Sequence, residues 1–201
     1  MLDFADLGGG RRDSDAAQQA KNVDALLLVL GAFAKNALSD LDEVSSELIL
    51  SDLEQVERAL KRIGGKRFSS EGEVTALRQA KSLLEDGQFI AGSIPALPTG
   101  YNFITDKPAI VALNVPEDKL SDCRDAYALA MQRCGTLGMP SVCFSAHIEM
   151  DIARMELKKE RTQFMHEYGL NQPGIDRLAR TTYSKLGLIS FFTVGQDEVR
   201  A

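Results

Sequence analysis

Ala109-Ile110-Val111-Ala112-Leu113-Asn114-Val115-Pro116-Glu117 decides how this chain reads. Five apolar residues in a row suit a parallel strand buried on both faces. Pro108 stands just ahead of it, where a missing N–H costs no central ladder bond. A second unit of the same design comes later: Pro140, a short strand at Val142–Phe144, then Ser145-Ala146-His147. Each strand therefore ends in a polar loop. Loops at the carboxyl ends of neighbouring parallel strands form the crevice where α/β proteins bind ligands.

Two more strands are expected upstream. One is Met1–Leu7, and the other is the unbroken apolar run Ala25–Leu30, again suited to burial on both faces. Between Leu30 and Ala109 lies a helical insertion. Leu41, Val44, Leu48, Leu50, Leu53, Val56, Leu60 and Ile63 recur at mostly helical steps up to Gly64-Gly65, and Val74, Leu77 and Leu84 mark a return helix over about 70–85. This is an αα-hairpin whose outer face carries Glu43, Glu54, Glu57, Arg58, Lys61 and Arg62. Further helices are predicted over 120–134, over 148–168 with a break near Lys158, and over 174–186, before a short strand in 189–194. Strands alternating with helices predict an α/β fold with a mainly parallel sheet. Residues 1–38 and 96–201 form one α/β unit, and 39–95 an inserted, coiled-coil-like hairpin.

Asn-x-x-Glu alone is a weak signal, and Asn114 by itself also reads as a turn or capping residue. The pair of strand-end motifs says more. In P-loop GTPases, a strand ending in Asn-Lys-x-Asp and a later one ending in Ser-Ala-Lys enclose the nucleotide base. Asn offers both a donor and an acceptor there, and the backbone after Ser-Ala offers N–H groups. Asp accepts from the two neighbouring donors of guanine. Asn114-Val115-Pro116-Glu117 departs from that pairing and resembles the Asn-x-x-Glu of the YchF/Obg-like ATPases, which prefer or accept ATP. Phe144-Ser145-Ala146-His147-Ile148-Glu149 resembles their Ser-Ala-Lys-Ile-Glu. Gly174-Ile175-Asp176-Arg177-Leu178, with Leu186–Gly195 and Glu198–Ala201, is similar to the segment leading into their C-terminal TGS domain. Ser46–Glu54 resembles the start of their hairpin.

The resemblance spans nearly the whole chain and implies a nucleotide site built from Asn114, Val115 and Glu117 on one side and Ser145, Ala146 and His147 on the other. His147, where the family places Lys, would give a stacking or polar contact. Asp6-Leu7-Gly8-Gly9 aligns with the family's Asp-x-x-Gly, which implies that Asp6 reaches Mg²⁺ through water. Beyond that motif the family carries a hydrophobic residue and then a stretch rich in Gly, Lys and Glu. Gly10 and Arg11-Arg12-Asp13-Ser14-Asp15 stand there in this chain and read as a degenerate switch loop.

No G-x-x-x-x-G-K-[ST] occurs in the sequence. Gly65-Lys66 fails the spacing and lies on the hairpin turn. The expectation is thus the portion of a P-loop NTPase G domain from its Asp-x-x-Gly strand to its end, without P-loop or TGS domain. No catalytic residue is assigned, ATP or GTP binding is weak, and hydrolysis is absent. The family implies Mg²⁺ with ATP or GTP as cofactor and the ribosome as partner. The rival reading is a nucleotide-free scaffold that docks on a protein or on the ribosome. The sheet, lacking its first strands, would close by pairing Leu2–Asp6 with Ala25–Leu30, or else by homodimerisation.

Composition is that of an ordinary globular chain of 201 residues, 44% hydrophobic and 26% charged. A net charge of -6 argues against an electrostatic grip on DNA or on an anionic membrane. No apolar run approaches the ~18 residues of a membrane helix, and no signal-peptide pattern opens the chain. Cys123, Cys134 and Cys143 are odd in number and lie in apolar surroundings, which suits reduced thiols in a cytoplasmic protein. His166 has no partner at metal-ligand spacing.

Overall fold

A computed structural model describes residues 20–33, 36–64, 70–95, 97–98, 100–189, 193–194 and 199–200. The expected strand Met1–Leu7 with Asp6, the Gly8–Asp15 loop and the Gly65-Lys66 turn lie outside these residues.

Three strands make a parallel sheet: β1 (Leu26–Gly31), β2 (Ala109–Asn114) and β3 (Ser141–Phe144), in that order. Leu30 pairs with Leu113, and Leu113 with Cys143. Residues 109–113 of β2 are all buried, as an apolar run between two neighbours requires. β1 differs from the expected two-faced burial. Leu28 and Leu30 turn into the core, whereas Leu27 is 45% and Val29 58% exposed. Among the described residues β1 pairs only with β2 and so lies at the edge of the sheet.

The insertion is the expected hairpin. Helix α1 (Ala37–Gly64) buries Leu41, Leu48, Ile49, Val56, Ala59 and Ile63 along one stripe. Helix α2 (Glu71–Glu85) answers with Ala76, Leu77, Ala80 and Leu84. Ser70 caps α2 by accepting the Glu73 N–H at 3.1 Å, which satisfies one of the donors a helix start leaves open. Leu41 and Leu77 are fully buried, and truncating either to Ala costs about 2–5 kcal/mol. Phe89, Ile90, Phe103 and Ile104 continue this stripe into the sheet's core. Asp52 of α1 locks the junction: its carboxylate accepts both the N–H and the hydroxyl of Thr105 at 2.7 Å.

The expected helix over 120–134 is instead two, α3 (Cys123–Ala126) and α4 (Ala128–Thr136), after a 3₁₀ turn at Glu117–Lys119. Tyr127 divides them with φ -120° and ψ 27°, and its hydroxyl donates to the Ala32 carbonyl at 2.9 Å. That tether to the end of β1 outweighs local helix propensity. The break near Lys158 is present, between α5 (Ala146–Arg154) and α6 (Lys158–Glu167). Helix α7 (Gly174–Lys185) comes next, and β4 (Thr193–Val194) pairs antiparallel with β5 (Val199–Arg200). No helix among the described residues is long and apolar enough to cross a membrane.

The expectation of three reduced thiols is overturned. Cys123 and Cys143 are joined in a disulfide with Cα atoms 6.5 Å apart, leaving Cys134 free and buried. They are 20 residues apart in sequence, and only the return of β3 beside the start of α3 brings them together.

Candidate nucleotide-base site

The parallel register sets Asn114 against Phe144, so the loops after β2 and β3 leave the sheet side by side. Val115 N–H donates to the Phe144 carbonyl at 2.9 Å. The Asn114 side chain then crosses the gap: its Oδ1 accepts the Ala146 N–H at 3.0 Å. The two strand-end motifs are thereby one unit. Asn114, Glu117, Ala146 and His147 form its open rim, while Ser145 is buried and Val115 fully so. Val115 thus turns its side chain into the core and has only its carbonyl left to offer. The N–H groups of His147 and Ile148 open α5, where a helix has no carbonyl one turn behind to receive them.

Glu117 holds the outer side. One carboxylate oxygen contacts His147 Nδ1, and the other lies 3.4 Å from the Tyr168 hydroxyl. His147 also stands 3.9 Å from Asp151, one helical turn along. Burial, and then the Glu117 carboxylate, push the Tyr168 phenol above its ordinary value. Sequence reasoning missed Tyr168, which lies 51 residues from Glu117 and carries no motif of its own.

The Glu and Gly of the other resembling motifs meet behind the rim. Glu149 accepts the N–H of Gly174 at 2.6 Å and that of Ile175 at 3.3 Å, capping α7. Arg177 Nη2 donates to the Cys143 carbonyl at 2.6 Å on the outer edge of β3. A groove of about 1160 Å³ runs along that edge, with Arg124, Arg177, Arg180 and Lys185 on its walls. It shares Tyr168 with the rim but none of Asn114, Glu117, Ser145, Ala146 or His147.

Over 182 residues the chain is 33% identical to the ribosome-binding ATPase YchF of Escherichia coli O157:H7, covering 83% of this chain and 48% of that protein. It is 32% identical over 179 residues to the protein of that name from Pasteurella multocida (83% and 48%). With the Bacillus subtilis protein of that name it shares 28% over 204 residues (90% and 55%). The chain is a YchF-like member of the P-loop GTPase family. The YchF GTPase structure of Schizosaccharomyces pombe shares its fold, with a TM-score of 0.68 at 21% identity over 98% of this chain and 59% of that one. No protein-family model matches. This YchF-like chain spans about half the length of the curated relatives it matches.

Among the described residues no group of three or more His, Cys, Asp and Glu could hold a metal ion. Asp6, the residue the resemblance points to for Mg²⁺, is outside them.

Proposed function

We propose that the joined ends of β2 and β3 are the base side of an ATP or GTP site. The observation that carries this reading is the Asn114 Oδ1 to Ala146 N–H bond, which holds two loops at the carboxyl edge of a parallel sheet as one surface. Asn114 Nδ2 remains as a donor, the Val115 carbonyl as an acceptor, and the N–H of His147 as a second donor. Glu117 and His147 close the outer side, and Ser145 supports the turn from below. Mg²⁺ would travel with the phosphates, with Asp6 as its water-mediated neighbour.

The relatives are named ribosome-binding ATPases, and we extend ribosome association, in the cytoplasm, to the protein in which this segment works. The division into 1–38 with 96–201 and an inserted 39–95 belongs to the same reading. Phosphoryl transfer depends on a phosphate-gripping loop and metal, and the sequence holds no P-loop motif. The 201-residue polypeptide therefore binds ADP no better than adenosine, at about 1 mM or more weakly, and turns over neither ATP nor GTP. The second reading, a nucleotide-free scaffold, draws on the long hairpin with its charged outer face.

NMR titration of the 201-residue chain with adenosine, ADP and GTP separates these readings. The base-site reading expects amide shifts at Asn114, Ala146 and His147 with all three. Silence at those amides rejects it in favour of the scaffold, and micromolar ADP binding rejects the account of weak binding.

A further inference from the structure

We infer that Tyr168 is a specificity-determining residue of this base site, positioning Glu117 so that its carboxylate does not serve guanine. This rests on the base-site reading of the β2 and β3 loops and adds to it the residue that sets the choice of base.

The delivery of Tyr168 is built into the end of α6. Gly169 takes φ +67°, a conformation that favours glycine. Its N–H donates to the His166 carbonyl at 3.0 Å, and the Leu170 N–H to the Met165 carbonyl at 2.8 Å. These two bonds form a Schellman turn, which stops the helix and fixes the direction of Tyr168. The Tyr168 ring packs on Phe164 with centroids 5.1 Å apart, and both rings lie against the main core. The hydroxyl therefore comes to Glu117 on a held frame rather than on a loose side chain.

Guanine presents two adjacent donors, N1–H and the 2-amino group, which a free carboxylate can receive together. Adenine presents neither. At Glu117 both oxygens already face donors: His147 Nδ1 on one and Tyr168 Oη, at a long 3.4 Å, on the other. A guanine that engaged both oxygens together would have to turn the carboxylate away from the direction in which the phenol and imidazole hold it, while an adenine asks nothing of it. A carboxylate at this position thus costs guanine a hydrogen bond and leaves adenine untouched. Tyr168 touches no base itself; it acts through Glu117.

The test compares adenosine and guanosine binding, by NMR titration, in the wild-type 201-residue chain and in Tyr168→Phe, which keeps the ring against Phe164. Wild type should favour adenosine. Tyr168→Phe should raise the guanosine-to-adenosine affinity ratio about fivefold, the size of one modest hydrogen bond, with adenosine affinity unchanged. In a Glu117→Ala background, Tyr168→Phe should leave the ratio unchanged. An unchanged ratio in Tyr168→Phe, with both nucleosides still binding, overturns the role of Tyr168 and spares the base site. Guanosine preference in wild type overturns it too. Absence of any nucleoside binding in wild type overturns the base-site reading itself, and the inference with it.

Discussion

Glu149 caps helix α7 through Gly174: its carboxylate accepts the Gly174 N–H at 2.6 Å. A Cβ at Gly174 would sit 2.8 Å from both Glu149 Oε1 and Phe144 Cβ. The contact explains why these two residues stand where they do in otherwise separate motifs, since one needs the other's bare backbone. Gly174→Ala should destabilise the chain by about 1–3 kcal/mol through overpacking, and Glu149→Ala by about 1–2 kcal/mol through loss of the cap. Urea unfolding measures both. An unshifted midpoint for Gly174→Ala would contradict the close approach.

The Asn114 to Ala146 bond has its own signature. Asn114→Ala removes the acceptor and should speed hydrogen exchange of the Ala146 amide about fivefold or more, while Asn114→Asp keeps an acceptor oxygen and should preserve protection. Equal exchange in wild type and Asn114→Ala would show that the side chain does not hold the loop.

Asp52 should make stability depend on pH. It is fully buried, and burial, opposed by its bonds from Thr105, raises its pKa above the ordinary 3.8. A carboxyl raised in the folded state favours folding most when protonated. Its contribution is complete below pH 3.8 and is lost as pH rises through the higher folded value. Asp52→Asn stays neutral, so its melting temperature relative to wild type should climb from about pH 3 to about pH 7. A flat difference would show that Asp52 ionises as freely folded as unfolded, and a falling one that folding favours its charged form.

Thiol counting tests the cysteine pairing. The folded chain should show no reactive thiol at pH 8, because Cys134 is buried and its thiol is pushed up to about 11 by desolvation. Denaturant without reductant should expose that one thiol, and reductant should release Cys123 and Cys143 as well. Three thiols in denaturant alone would leave the pair unjoined.

Much of the fold is legible in the sequence because it is written in short-range periodicity. The run Ala109–Leu113 is apolar at every position and forms the central strand. Leu41, Leu48, Val56 and Ile63 recur at helical steps and form the buried stripe of α1. The strand-end residues Asn114, Glu117, Ala146 and His147 are legible too, since β2 and β3 are parallel and adjacent and therefore end on the same edge. The division of the 120–134 helix is not, because it depends on a Tyr127 hydroxyl reaching Ala32, 95 residues away.

By itself, then, the sequence determined the three parallel strands, the helical hairpin and the break near Lys158, and which two loops would end side by side. These properties arise from the spacing of apolar side chains, and spacing is local. Only the tertiary structure decided that Leu27 and Val29 face outward, that Cys123 meets Cys143, that Asp52 lies buried against Thr105, and that Tyr168 stands over Glu117. Each of these depends on chain segments 20 or more residues apart converging within a few ångströms, or on a neighbour being present or not. Burial, hydrogen bonding and charge act through space, so their partners are fixed only once the sheet and helices have packed.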